Sequence, residues 1–244
     1  MKLIAAIPCR VRSIRLYGKP LQHIDIEKRI TILEYLVAQI KKQEEVREIV
    51  LAVSEEEENS PFFDLAKKME IKAVAGDPEE VMSRMIKAVN HVQGETILRI
   101  TSECPFIYFD TFSEVYEQHS KEKADLSIIE NLPDGAYYEL IQTNALVKSY
   151  EKGHRGAWVT LYINQHPELF KILKLKPVPE LRRPDLRITV DYPEDLMAVR
   201  AVYSALEGGK KFPSLHAIIE FMDAHPEVKK WVTSHKAGDG RIWD

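Results

Sequence analysis

The opening stretch of the chain decides the fold. Residues 3–21 read LIAAIPCRVRSIRLYGKPL, an aliphatic run followed at once by a basic loop. The run Leu3–Ile7 has the length and composition of a buried strand. The loop carries four cations, Arg10, Arg12, Arg15 and Lys19. Ligands of open α/β sheets bind at the carboxyl ends of the strands, so we expect this loop to bind an anion.

Outward from this stretch, short aliphatic runs alternate with longer amphipathic segments. Further strands are predicted at Ile49–Val53, Lys72–Ala75, Thr96–Ile100, Leu126–Ile129, Tyr138–Ile141 and Leu186–Val190. Helices are predicted from a capping box at Thr31 and Glu34, after Ser60 and Pro61, from Pro78 or Glu79 to about His91, near Thr143, around 156–166, from about Pro193 to Leu206, and through Ile218 and Phe221. This alternation is typical of βαβ units. It predicts one α/β domain over 1–244 with a doubly wound, mostly parallel sheet. The rhythm changes after Pro133, which predicts an inserted arm at about 133–180.

Composition excludes several classes of protein. The chain has 244 residues, of which 45% are hydrophobic and 30% charged, as is ordinary for a globular domain. Its net charge of −4 argues against general affinity for nucleic acid or membranes. Two cysteines are too few for a disulfide framework or a zinc site, and the first apolar run is too short for a signal peptide. We therefore expect a cytoplasmic protein.

The basic loop has two interpretations. Guanidinium groups grip phosphate oxygens in a bidentate manner, and Lys19 and Ser13 add a charge and a hydrogen-bond donor. These groups together predict a site for a polyphosphate. The alternative is a solvated basic loop whose charges pair with nearby glutamates.

The loop resembles the signature of the cytidylyltransferases that activate sugar acids, especially the spore-coat-polysaccharide type. That signature reads approximately Ala-Arg-x-Gly-Ser-x-Arg-Leu-Pro-Gly-Lys-x-Leu, and this chain keeps Arg10, Ser13, Arg15, Leu16, Gly18, Lys19 and Leu21 in register. Arg12 stands where the family has Gly, and Tyr17 where it has Pro. Residues 32–35 resemble the family's first-helix motif, and Gly76–Arg84 resembles its Gly-Ser-x-x-Asp-Val-Leu-Asp-Arg segment.

The resemblance implies a fold like that of the nucleotide-diphospho-sugar transferases and a reaction that couples CTP to a sugar acid, releasing pyrophosphate. It implies Arg10, Lys19 and Asp191 as catalytic residues, and it implies a homodimer built through the arm. The residues implied to bind the nucleotide are Arg10, Arg12, Ser13, Arg15, Lys19, Arg84, Thr101 and Ser102. For Arg84 the alternative is a surface arginine on an amphipathic helix.

Two carboxylates are candidates for Mg²⁺, the ion that this chemistry needs. Glu103 lies in a segment where the family reads Arg-x-Thr-Gly-Asp-Cys-Pro, and Asp191 lies in a match to Leu-Thr-Val-Asp-x-Pro-Glu-Asp. Mg²⁺ takes one or two carboxylates and leaves its other positions to water and phosphate. Each candidate has an alternative role, Glu103 as a solvated loop acid and Asp191 as a helix cap with Glu194.

The acceptor site matches the family only in part. Glu139 aligns with a Glu that contacts the sugar acid in the family, but Gly156, Ala157 and Trp158 stand where a basic Arg-Glu-His motif is expected. Arg155 lies just upstream and is predicted to substitute; capping a helix C-terminus is its alternative role. Three rival functions therefore stay open: transfer to a phosphate or phosphonate acceptor, nucleotide binding without catalysis, and glycosyl transfer from a nucleotide sugar, for which no Asp-x-Asp motif is found.

Overall fold

A computed structural model describes residues 2–155, 158–206 and 212–233. Its strands are β1 (Leu3–Cys9), β2 (His23–Asp25), β3 (Ile30–Thr31), β4 (Val46–Ser54), β5 (Lys72–Gly76), β6 (Thr96–Arg99), β7 (Leu126–Ile129), β8 (Glu139–Gln142) and β9 (Ile172–Leu175). Its helices are α1 (Ile32–Ile40), α2 (Pro61–Lys68), α3 (Val81–His91), α4 (Phe112–Glu122), α5 (Thr143–Glu151), α6 (Leu161–Gln165), α7 (Pro193–Leu206), α8 (Leu215–Ala224) and α9 (Pro226–Thr233).

Seven strands form one sheet in the order β5-β4-β1-β6-β8-β7-β9. All neighbours pair in parallel except β8, which runs antiparallel to both β6 and β7. β2 and β3 form a separate hairpin. The predicted doubly wound, mostly parallel sheet is confirmed, and β1 lies inside it with its carboxyl end beside that of β6.

Alternate residues of β1 face opposite sides of the sheet. Leu3, Ala5 and Ile7 pack with α1, α7 and α8, whereas Ile4 and Ala6 pack with α3 and α5. A strand buried on both faces reads as a continuous aliphatic run, which is why residues 3–7 carry no polar side chain.

Local signals fixed several boundaries. The capping box of α1 forms as predicted: Glu34 N donates to Thr31 Oγ1 over 3.1 Å, and Thr31 N donates to the Glu34 carboxylate over 2.8 Å. α7 spans the predicted residues. α2 begins at Pro61, but the side chain of Ser60 makes no capping bond.

The predicted strand Leu186–Val190 is wrong. Only Arg187 pairs there, in an isolated bridge with Asp134. The backbone of this segment bonds to loops instead of a strand, since Ile188 N donates to Asp134 O over 2.7 Å and Val190 N to Glu103 O over 3.1 Å. The segment thus lines the carboxyl end of the sheet.

The region after Pro133 differs in detail from its prediction. The helix predicted over 156–166 is shorter, because Trp158–Thr160 are not helical and α6 begins at Leu161; Gly156 and Ala157 lie outside the described residues. Residues 133–180 supply β8 and β9 to the sheet. α4, β9 and α9 were not predicted. No helix in the described ranges is long and apolar enough to cross a membrane.

Candidate active site

The loop after β1 closes on itself through Gly18. This residue has φ +62°, which favours glycine, and its N–H donates to Val11 O over 2.8 Å. Val11 N in turn donates to Asn59 Oδ1 over 2.8 Å, which fixes the loop to the turn before α2. The closure turns Lys19 inward, where it is only 8% exposed, and leaves Arg10, Arg12 and Arg15 exposed.

Lys19 meets Asp191, which lies 172 residues further along the chain. Lys19 Nζ is 2.5 Å and Arg15 Nη2 is 2.7 Å from Asp191 Oδ1, and Arg187 Nη2 is 2.6 Å from Oδ2. Burial raises the pKa of Asp191, but hydrogen bonds from Lys19 and Arg187 and the charge of Arg15 outweigh it and hold that pKa below its ordinary value. Asp191 is therefore ionised in a cage of three cations.

Asp195 and Arg187 hold Asp191 in place. The Asp195 carboxylate accepts the N–H groups of Asp191 and Tyr192 over 2.8 and 3.0 Å. Arg187 bonds to that carboxylate and to Asp134. Burial disfavours the charged form of Arg187, but these three aspartates together raise its pKa.

A cleft of about 610 Å³ lies beside this cluster. Six basic side chains line it, namely Arg10, Arg12, Arg15, Lys19, Arg84 and Arg99. Its other polar lining residues are Ser13, Thr101, Ser102 and Glu103. All eight residues that the sequence assigns to the nucleotide line this one cleft. Within the described ranges the cleft lining includes one carboxylate, that of Glu103. The cleft is therefore positively charged although the chain as a whole has a net negative charge.

Arg84 is a buried residue of this cleft, with 2% of its surface exposed. Its Nη1 donates to the carbonyls of Asp77 and Pro78 over 2.7 and 2.9 Å, and its buried Nε has no partner among the described residues. Burial, and then the charge of Arg10, lower its pKa. Gly76 makes room for it, because a Cβ there would lie 2.9 Å from Arg84 Cγ. The alternative of a surface arginine is wrong.

Glu103 lies in a loop that adjoins the loop of Asp191. Its carbonyl accepts Val190 N, its carboxylate accepts Ser102 Oγ over 3.2 Å, and Ser102 itself is buried. Both predicted metal carboxylates thus belong to adjoining loops. No group of three or more His, Cys, Asp or Glu residues arranged to hold a metal ion occurs in the part of the chain that the structure describes.

Residues 4–219 match the sequence profile of the cytidylyltransferase family. The chain belongs to the cytidylyltransferase family. The spore coat polysaccharide biosynthesis protein SpsF of Bacillus subtilis is 26% identical over 232 residues, which cover 93% of this chain and 96% of that protein.

Solved structures share the fold of this cytidylyltransferase. A cytidylyltransferase from Leptospira borgpetersenii superposes with a TM-score of 0.84 at 20% identity, covering 93% of this chain and 96% of the other. A CMP:2-keto-3-deoxy-manno-octonic acid synthetase complexed with CTP superposes with a TM-score of 0.65 at 14% identity, covering 84% and 99%.

The two predicted acceptor residues of the cytidylyltransferase lie apart from the cleft lining. Glu139 is 2% exposed and accepts Thr160 Oγ1 over 2.8 Å and Arg99 Nη1 over 3.3 Å. Arg155 donates to Tyr150 O at the end of α5, stacks on the Tyr150 ring and pairs with Glu80 over 3.3 Å. These contacts match the capping alternative for Arg155, and its contact with an acceptor stays a prediction.

Both thiols of the cytidylyltransferase are buried, which raises their pKa values, that of Cys104 to about 12. They remain protonated at neutral pH and poorly nucleophilic.

The sequence patterns did not indicate Arg99 and Arg187 as site residues. The signal was present for Arg99, which is the first residue of the motif matched for Glu103, whereas Arg187 lies one residue before the motif matched for Asp191.

Proposed function

We propose that this cytidylyltransferase transfers CMP from CTP to a hydroxyl group of a sugar acid and releases pyrophosphate. The observation that carries the proposal is the cleft itself: cations from the loop after β1 converge with Asp191 and Glu103 at the carboxyl end of the sheet. The family match and the relatives named above support CTP and a sugar acid as the substrates.

The cations would hold the triphosphate. Arg10 is exposed and free to move onto phosphate oxygens, and exposed Arg12 has one long contact, of 3.6 Å, with Glu58, whereas Lys19 and Arg15 are already ordered by Asp191. Preorganised charge of this kind stabilises a transition state without reorganisation during the reaction. Positioning and charge neutralisation account for most of the catalysis in phosphoryl transfer.

The donor set at the site fits Mg²⁺. Asp191 and Glu103 supply carboxylate oxygens from adjoining loops, and two carboxylates suffice because water and phosphate complete the shell. When bound, the ion would neutralise phosphate charge and lower the pKa of the acceptor hydroxyl.

Oδ1 of Asp191 cannot keep both of its present partners and also bind a cation. Both oxygens of this carboxylate are taken, Oδ1 by Lys19 and Arg15 and Oδ2 by Arg187. A triphosphate offers Lys19 and Arg15 new anionic partners, and their transfer to it would free Oδ1. We therefore expect the nucleotide to bind before the ion.

The bond changes are those of a single displacement. The acceptor oxygen forms a bond to the α-phosphorus, the bond from that phosphorus to the bridging oxygen of pyrophosphate breaks, and the hydroxyl proton passes to solvent. No covalent enzyme intermediate is needed, which agrees with the protonated state of both buried thiols.

Pyrophosphate release tests the proposal directly. The purified chain is incubated with Mg²⁺, each of the four nucleoside triphosphates and a panel of sugar acids and phosphorylated acceptors. We expect release with CTP and a sugar acid only. Release with phosphorylated acceptors instead would favour the rival acceptor class, and thermal stabilisation by CTP without turnover on any acceptor would favour a binding module.

Lys19→Ala is the matching variant test. Loss of this buried cation should cost about 2–4 kcal/mol of transition-state stabilisation. Arg47→Ala is the control, because Arg47 is exposed at the amino end of β4. Unchanged turnover of Lys19→Ala would remove Lys19 from the site.

The location and the assembly are further parts of the proposal. Two buried reduced thiols suit the cytoplasm. The region 133–180 exposes Trp158, Leu169 and Val178, large apolar side chains that a dimer interface would cover. Sedimentation of the wild type and of Trp158→Ser would test the dimer, which we expect only for the wild type.

A further inference from the structure

Arg99 is a basic lining residue that the proposed reaction does not use, although it is the first residue of the motif matched for Glu103. It is the last residue of β6 and lies directly across from Glu139 in the antiparallel ladder with β8. Its Nη1 is 3.3 Å from Glu139 Oε2, and its side chain is 21% exposed toward the cleft. Its buried Nε has no hydrogen-bond partner among the residues described.

Glu139 holds Arg99 and does not reach the cleft itself. It is 2% exposed and absent from the cleft lining. One of its oxygens accepts Thr160 Oγ1 and the other accepts Arg99, so both carboxylate oxygens have partners. Glu139 aligns with the Glu of the family, but these contacts make it a residue that positions Arg99.

The Arg99–Glu139 pair is electrically neutral, which determines the ligand that it suits. A triphosphate carries several negative charges and is attracted to cations whose charge is not neutralised by a nearby carboxylate, such as Arg10. A single carboxylate carries one negative charge, and its binding depends mainly on orientation, since its two oxygens fit the planar fork of a guanidinium that is already oriented. The five N–H groups of Arg99 exceed what Glu139 uses.

We propose that Arg99, oriented by Glu139, binds the carboxylate of the acceptor and thereby selects sugar acids over neutral sugars. This inference rests on the proposed function, because it names the group of the acceptor that the same cleft recognises. Thr160, which bonds to Glu139 from the segment before α6, ties this pocket to the region 133–180.

Equilibrium binding tests the assignment without turnover. The protein is saturated with a non-hydrolysable CTP analogue, and a panel of 2-keto sugar acids, 2-keto-3-deoxy-octonate among them, is titrated by calorimetry beside the corresponding methyl esters. Because a charged hydrogen bond is lost, we expect the esters to bind the wild type about 10- to 100-fold more weakly than the acids.

The variants are Arg99→Gln and the double variant Arg99→Gln/Glu139→Gln, with Arg47→Gln as the control. The double variant leaves no buried carboxylate without its cation, so it guards against a loss of folding. We expect both variants to bind the acids about 10- to 100-fold more weakly, to lose the preference for acid over ester, and to bind the CTP analogue within about 2-fold of the wild type. In turnover, the KM for the acceptor rises and kcat changes little.

Each remaining outcome decides one of the two hypotheses. If the variants bind the acids as the wild type does, if they lose CTP affinity by the same factor, or if the wild type binds no acid or binds the ester equally well, the assignment of Arg99 is overturned. If the wild type prefers acids and Arg99→Gln does not, yet no acceptor gives pyrophosphate, Arg99 keeps its role and the proposed reaction fails.

Discussion

Replacing Asp191 by Asn removes the charge that holds three cations together. Arg187 keeps Asp134 and Asp195 as partners, and Arg15 has a side chain that is 43% exposed and can be solvated. Lys19 is different, since its side chain is 9% exposed and has no second ion pair among the described residues. The variant therefore leaves one buried ammonium group without a counter-charge.

The expected cost follows from that single group. Removing one partner of a buried ion pair typically costs 3–5 kcal/mol, and the amide oxygen of Asn still accepts a hydrogen bond, so we expect a loss of about 3 kcal/mol in the free energy of unfolding. The double variant Asp191→Asn/Lys19→Met removes the stranded charge as well. It should lie within about 1.5 kcal/mol of the wild type, because neutral packing replaces the pair.

Urea unfolding at several pH values is the assay. The folded pKa of Asp191 lies below its ordinary value, so its contribution to stability is complete above the ordinary pKa of about 4 and is lost as the pH falls through the lower folded value. The difference between wild type and Asp191→Asn should thus be constant near neutral pH and shrink only in acid. A single variant that unfolds within about 0.5 kcal/mol of the wild type, or a double variant no more stable than the single, would refute this account of the cluster.

Three further predictions concern the fold and the cleft. His119 is buried between Ser127 and Gln142, and burial lowers its pKa to about 4. Its contribution to stability is complete above pH ~6.5, and about 3 kcal/mol of the free energy of unfolding should be lost as the pH falls toward 4. Urea titration of His119→Gln should not show that loss. Gly135→Ala should lower the melting temperature by several degrees, since φ is +99° and a Cβ would lie 2.5 Å from a backbone nitrogen; an unchanged melting curve would contradict the geometry. Gly76→Ala should weaken CTP binding about 10-fold and lower the melting temperature, because the new Cβ would lie 2.9 Å from Cγ of the buried Arg84 and displace that side chain. Equal affinity in calorimetry would argue against that contact.

The sequence predicts the fold well wherever the signal is local. The run at residues 3–7, the capping box at Thr31 and the helix from Pro193 to Leu206 each depend on near neighbours in the chain, and each forms. The segment Leu186–Val190 has the same aliphatic character, yet it bonds to loops. Strand pairing is a tertiary property, so composition alone could not tell a strand from an extended segment beside the sheet.

The same distinction between local and tertiary signals applies to the site. The family resemblance placed Lys19 and Asp191 in one predicted site, and the two residues are in direct contact in the structure, although the strand predicted before Asp191 does not form. The contact between Arg99 and Glu139 could not be predicted from the sequence, because it depends on β8 lying antiparallel between β6 and β7 in the sheet. The register of a strand that joins from a distant part of the chain leaves no local pattern.

The departure from the family signature at Arg12 changes the charge of the loop and not its path. A glycine is needed where φ is positive, and the described residues with positive φ include Gly18 but not Arg12. The exposed side chain of Arg12 pairs with Glu58 over 3.6 Å, and the Tyr17 hydroxyl bonds to the same carboxylate. Both departures therefore contact one glutamate, and Arg12 also lines the cleft. Gly18 and Lys19, which the signature shares, provide the turn of the loop and its buried cation.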